Sequence, residues 1–314
     1  MAIRIALAGN PNCGKTTMFN ALTGANQYVG NWPGVTVEKK EGKLKSKKVK
    51  EEVVVTDLPG IYSLSPYTLE EVVSRDYLLK ENPDVIVDLV DATNIERNLY
   101  LTTQLIETGV PVVIALNMAD LLEKRGIKID VARLSMLLDC PIVETSALKG
   151  EGLDKLIDEA IKTAKKKEAD LPKEIFNKDL EDAVSAAAEV LPSSIDANKK
   201  RWYAVKFLEK DSKVAESVKL TDSAAKKIEE LRAGLEKSHD DDMESIVTDE
   251  RYKFIQKIVG TTVKKGKDKL TTSDKIDKIV TKPYPRYPNL YRSYVRSILH
   301  LCYHDRHDCN RLDK

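Results

Sequence analysis

Residues Gly9 to Thr17 read Gly-Asn-Pro-Asn-Cys-Gly-Lys-Thr-Thr, a GxxxxGKT spacing that turns successive backbone N–H groups toward one phosphate. Gly9 and Gly14 permit the tight turn, Lys15 reaches toward the β/γ-phosphates, and the Thr16 hydroxyl suits Mg²⁺. Asn10, Pro11, Asn12, Cys13 and Thr17 complete the expected cradle. Further along, Asp57-Leu58-Pro59-Gly60 is a DxxG element. There Asp57 can hold Mg²⁺ through water, and Gly60 can offer its N–H to a γ-phosphate. Asn117-Met118-Ala119-Asp120 is an NxxD element. A carboxylate at Asp120 accepts from N1–H and the 2-amino group of guanine, a donor pair that adenine lacks. Ser146-Ala147-Leu148 fits a loop that closes over guanine O6 with backbone N–H groups. Each string alone is weak. Their order and their placement after apolar runs together point to a guanine nucleotide, GTP or GDP, with Mg²⁺.

Such residues need rigid supports. Strand-like runs at Ile3 to Ala8, Val35 to Val37, Val53 to Thr56, Val85 to Val90, Val112 to Asn117 and Pro141 to Val143 alternate with helical segments. That alternation is the signature of a doubly wound, mostly parallel α/β sheet, and with the nucleotide strings above the expected class is a Ras-like P-loop GTPase. The segments Val37 to Leu44 and Val49 to Thr56, joined by a Lys-rich turn, read as a hairpin that adds one antiparallel edge strand. A helix over Gly152 to Lys167 closes a G domain at 1–168. From Leu171 the texture changes to Ala, Lys, Glu and Leu with helical periodicity, a small all-α domain at 169–270. Helices are expected at Asp179 to Leu191, Asn198 to Leu208, Asp222 to Leu235 and Asp241 to Val259. Helix starts are expected at Pro192-Ser193-Ser194 and Thr221-Asp222-Ser223. No catalytic constellation is visible there.

Composition narrows the function classes. A net charge of +1 over 314 residues gives no global argument for nucleic acid, and no basic face with interleaved aromatics supports one. Lysine runs at Lys43 to Lys50 and Lys165 to Lys167 read as solvated faces. The four cysteines, Cys13, Cys140, Cys302 and Cys309, lack metal or disulfide-scaffold spacing, which suggests a reduced cytosolic compartment. Cys13 invites a nucleophile role, yet phosphoryl transfer to water needs positioning rather than a covalent intermediate, so it reads as a small filler. Ile3 to Ala8 is too short for a signal peptide, and no run of about twenty apolar residues reads as a membrane span.

Between the first two stations lies Gly30-Asn31-Trp32-Pro33-Gly34-Val35-Thr36. With GNPNxGKT before it and DLPGIYSL after it, this string resembles the cytosolic G domain of bacterial ferrous iron transport protein B (FeoB), over about residues 1 to 281. The resemblance implies a GTP-hydrolysing regulatory domain of a Fe²⁺ transporter at the cytoplasmic face of the bacterial inner membrane. It implies that Thr36, with Gly34 and Val35, is switch I, with Thr36 closing on Mg²⁺ and the γ-phosphate beside Thr16 and Asp57. Many Ras-type GTPases carry a water-orienting glutamine after the DxxG glycine; here Ile61 stands there, and a hydrocarbon cannot orient water. On the resemblance, K⁺ held by Asn12 and by carbonyls from Gly30 to Trp32 takes part of that role. Asn12, Lys15, Thr36 and Gly60 are then the catalytic group. The helical domain is implied to favour the GDP state. The implied partners are the membrane pore of the same polypeptide and small cytosolic accessory proteins, with room for a homo-oligomer and no nucleic acid. Two other readings stay open: a ribosome-assembly or tRNA-modification GTPase, and a nucleotide-gated scaffold with negligible hydrolysis.

Residues 271–314 read as a linker and a tail. Up to Thr281 the resemblance holds, but Lys282-Pro283 and a Tyr/Arg/Pro/His-rich run follow. A neighbouring reading frame over 282–295 permits an Ile-, Phe- and Val-rich run resembling the start of a membrane helix, so this tail reads as frameshifted rather than natural. Its His300, His304 and His307 are then not a metal site. Sequencing the coding DNA decides the matter.

Overall fold

A computed structural model describes residues 2–24, 27–45, 49, 51–65, 67–166 and 175–265. The tail expectation, with Cys302, Cys309 and the three late histidines, lies outside the described residues.

The first half of the chain alternates strand and helix as its apolar runs require: β1 (Ile3–Gly9), α1 (Lys15–Thr23), β2 (Gln27–Asn31), β3 (Glu38–Lys43), β4 (Val53–Asp57), α2 (Leu69–Asp76), β5 (Val85–Asp91), α3 (Ile95–Glu107), β6 (Val112–Asn117) and α4 (Ala119–Arg125). There follow β7 (Ile127–Ile129), α5 (Val131–Leu138), β8 (Ile142–Glu144) and α6 (Leu153–Lys166). Seven strands form one sheet in the order β2-β3-β4-β1-β5-β6-β8. β4, β1, β5, β6 and β8 run parallel, so their carboxyl ends share one rim. That rim is where ligands sit in such sheets.

Both faces of the sheet are covered. Ile5 and Leu7 of β1 share a core with α1 and α6, while Ala6 and Ala8 face α3 and the loop after β4. The hairpin partner β3 is antiparallel to β4 as expected, but it is not the edge: β2, unforeseen in the sequence, pairs antiparallel with β3 outside it. Val35 to Val37 is not a strand. Pro33 and Gly34 (φ 77°) form a turn in which Val35 N–H donates to the Trp32 carbonyl, so the chain reverses before β3 begins.

The rest is helical: α7 (Lys178–Glu189), α8 (Lys200–Leu208), α9 (Ser212–Ser217), α10 (Asp222–His239) and α11 (Met243–Thr262), then β9 (Val263–Lys265). Thr221 caps α10 as expected, its side chain accepting from Ala224 N–H. Pro192 to Ser194 is a turn rather than a helix start; Ile195 N–H closes onto the Pro192 carbonyl, and helix resumes after Asp196. Trp202 anchors a separate apolar core. The end of the segment is not purely helical, because β9 pairs antiparallel with β7. α11 also places Ile255 and Ile258 in the core shared by α3 and α5.

Ion pairs hold this junction. The guanidinium of Arg251 on α11 pairs with Glu107 on α3, and Arg201 on α8 pairs with Glu181 at 2.6 Å. Both guanidiniums lie over the Phe176 ring, at 5.1 and 5.3 Å. Arg75 on α2 pairs with buried Asp211 at 2.9 Å.

Candidate functional site

Every predicted station falls at the carboxyl-end rim. Gly14 caps α1 with φ 93°, and a Cβ there would lie 2.5 Å from Asn117 Nδ2, so the turn demands glycine. Asn12 also has positive φ, at 66°, and its side chain is exposed. Residues 11–14 thus curl so that the loop runs into the N-terminus of a nine-residue helix, the geometry that gathers N–H groups on an anion.

Asn117 joins three stations. Its Nδ2 donates to the Cys13 carbonyl at 2.8 Å, while its Oδ1 accepts from Ala147 N–H at 3.0 Å and from Thr145 Oγ1 at 3.4 Å. A buried side chain therefore sets the spacing between the phosphate loop and the loop of Ser146, Ala147 and Leu148. That loop is closed by paired backbone bonds between Ser146 and Glu151, both at 3.1 Å, and leaves Leu148 88% exposed. Met118 takes φ 61°, and two residues on Asp120 meets Lys149 at 3.1 Å. The Lys149 hydrogen bond holds the Asp120 carboxyl below its ordinary range, so it stays an ionised acceptor.

The DxxG element is stitched to β1. Leu58 N–H donates to the Leu7 carbonyl at 3.0 Å, and Ile61 N–H to the Gly9 carbonyl at 3.3 Å. A Cβ on Gly60 would crowd Pro11 Cα at 3.2 Å, which brings this loop against the phosphate loop. Lys15 Nζ and Asp57 Oδ1 lie 2.6 Å apart. Burial pushes the Asp57 carboxyl up, and Lys15 opposes that shift. Thr16 and Asp57 are hard oxygen donors of the kind Mg²⁺ takes, so the donor chemistry fits. Ile61 is buried in the core with Leu58 and Leu64. Its side chain packs there rather than standing where a water-orienting glutamine would act.

Switch I is placed less tightly. Trp32 is buried and meets Tyr77 edge-on at 5.3 Å, with the Lys39 ammonium 5.0 Å over its ring. Beyond it Gly34 and Thr36 are exposed and Val35 half-buried. Among the described residues no hydrogen bond joins Thr36 to the other stations. Gly30 lies in β2, and the Trp32 carbonyl accepts from Val35. Cys13 is buried, and burial pushes its thiol to about 12, which fits a filler and not a nucleophile. Sequence reasoning missed Lys149 and Thr145. Lys149 stands two positions after Ala147 in the same loop, a proximity that could have suggested a partner for Asp120.

Comparison with known proteins agrees with this geometry. Residues 3–160 match the family model for ferrous iron transport protein B, and residues 176–264 the model for the FeoB cytosolic helical domain. A Porphyromonas gingivalis Fe(2+) transport protein A/Fe(2+) transporter FeoB fusion protein is 44% identical over 299 residues, covering 89% of this chain and 34% of its own length. The Fe(2+) transporter FeoB of Methanocaldococcus jannaschii is 43% identical over 285 residues, 88% of this chain and 41% of its own. The chain thus spans about a third of the first of these relatives. Among solved structures, a GDP-bound point mutant of the S. thermophilus FeoB G-domain has a TM-score of 0.79 at 49% identity, covering 83% of this chain and 100% of the other. The mGMPPNP-bound NFeoB from S. thermophilus has a TM-score of 0.73 at 49% identity, covering 84% and 99%.

Proposed function

The chain belongs to the ferrous iron transport protein B family and carries its GTPase G domain, and from that premise we propose a slow, Mg²⁺-dependent and K⁺-stimulated GTPase switch that regulates Fe²⁺ passage in the longer parent protein. The observation that carries it is the Asn117 strap, which holds the phosphate loop and the base loop at one rim beside Asp120. Lys15 exchanges its carboxylate partner for the β- and γ-phosphates, and the loop N–H groups complete their cradle. Thr16, Asp57 and Thr36 are the residues to hold Mg²⁺, which supplies charge neutralisation on the phosphates when bound. Asp120 accepts the guanine N–H pair, and Ser146, Ala147 and Leu148 close over O6.

GTP orders switch I through Thr36 and switch II through Gly60, and hydrolysis releases both. Because Ile61 cannot orient water, Asn12 and the carbonyls of Gly30 to Trp32 would hold K⁺, which would supply the missing charge stabilisation. The change passes to the helical segment and on to the membrane pore of the parent polypeptide, at the cytoplasmic face of the membrane, where small accessory proteins act. GTP turnover in K⁺ and in Na⁺ at matched ionic strength tests this. K⁺ accelerates the parent, and Asn12→Ala abolishes the difference; equal rates in the two salts for the parent would sink the K⁺ role.

A further inference from the structure

Asn10, in the phosphate loop, has a side chain that the contacts described above do not account for. It is 4% exposed, and both side-chain polar atoms lack a hydrogen-bond partner among the described residues. No other described residue buries two such atoms. A buried carboxamide left unpartnered carries its whole desolvation penalty, so its retention calls for a partner in some arrangement of the chain.

Strand alternation locates it. Ile5 and Leu7 face α1 and α6, whereas Ala6 and Ala8 lie in the core of Leu58, Ile61 and Ile95. A Cβ on Gly9 would meet Leu89 and Cys13, on the Leu7 face. Asn10 therefore falls on the Ala8 face, beside the DxxG loop. Its two chain neighbours both touch that loop: the Gly9 carbonyl accepts from Ile61 N–H at 3.3 Å, and Pro11 lies against Gly60.

We propose that Asn10 is a positioning residue for switch II, its carboxamide pairing with the peptide groups of Pro59, Gly60 and Ile61 when that loop closes on a γ-phosphate. A carboxamide has an acceptor and donors in one plane, the complement of a peptide group. The pairing favours the triphosphate-bound arrangement over the diphosphate-bound one. This rests on the guanine-nucleotide reading above.

The test uses Asn10→Leu, an apolar near-isostere, with Asn10→Ala as the smaller alternative if the first misfolds. Fluorescent GDP and a fluorescent non-hydrolysable GTP analogue are titrated into parent and variant. In either variant the analogue affinity falls about tenfold more than the GDP affinity. The thermal midpoint of the GDP-bound variant stays level or rises, because an unpartnered polar group has been removed. Equal losses for both nucleotides, or no change in their ratio, overturn the proposal. A parent that binds neither nucleotide overturns the underlying reading instead.

Discussion

Two clusters of charge in this molecule are built in opposite ways. At the rim, Lys15 with Asp57 and Lys149 with Asp120 sit at or just beyond strand ends, and Lys149 is open to water. At the junction of α3 with the helical segment, Glu107 and Arg251 are almost wholly buried, and Arg75 with Asp211 likewise. A rim pair can trade its partner for a ligand at little net loss, because water or phosphate takes over. A junction pair is shut off from water, so removing Arg251 leaves buried Glu107 with only the longer Arg201 contact at 3.6 Å. The difference separates charges that act from charges that hold the frame.

The largest expected effect breaks the frame. Arg251→Ala should lower the unfolding free energy by about 3 to 5 kcal/mol, read by urea unfolding. A loss below about 1 kcal/mol would put the junction pair in the same class as exposed ones.

At the rim, Asp120→Asn should weaken GDP binding about a hundredfold, and xanthosine diphosphate should gain, since its 2-oxo group suits an amide donor. Stability should barely move. Calorimetric titration and a melting curve check both halves, and a stability loss as large as that of Arg251→Ala would erase the contrast.

Asp88 is a third case, buried without a cation. Its recorded partner is Thr102 Oγ1, which donates to it at 2.5 Å. Burial raises its carboxyl to about 7, against about 3.9 for an ordinary aspartate. The folded state therefore holds a proton that the unfolded chain has lost, and stability falls as pH rises from about 4 to about 7, by at most about 1.4 kcal/mol per unit. Asp88→Asn should remove that slope; parallel profiles for parent and variant would contradict it.

The smallest effect is expected at Lys149→Gln. Solvent screens an exposed pair, so GDP affinity should change by less than about fivefold. Stopped-flow release of fluorescent GDP measures it, and a larger change would mean that Asp120 depends on Lys149 as closely as Glu107 does on Arg251.

The same contrast explains what was legible in the sequence. The rim stations are short strings whose residue types are dictated by a local turn, as Gly14 is by its φ of 93°. Apolar runs then located five of the seven sheet strands. β2 escaped because Gln27 to Asn31 has neither alternation nor an apolar run, and it forms by pairing with β3. Val35 to Val37 misled because β-branched residues suggest a strand while Pro33 and Gly34 impose a turn. The junction was illegible for another reason: Glu107 and Arg251 lie 144 residues apart, and Arg75 and Asp211 lie 136 apart, so no local pattern pairs them.

Competition between GDP and ADP for the purified chain asks whether the rim reads a guanine nucleotide. GDP should displace fluorescent GDP at a concentration about a thousandfold or more below that of ADP, with the preference shrinking about a hundredfold in Asp120→Asn. Equal displacement of the parent's probe by GDP and ADP, or a preference undiminished in Asp120→Asn, would mean that the rim does not read guanine through Asp120.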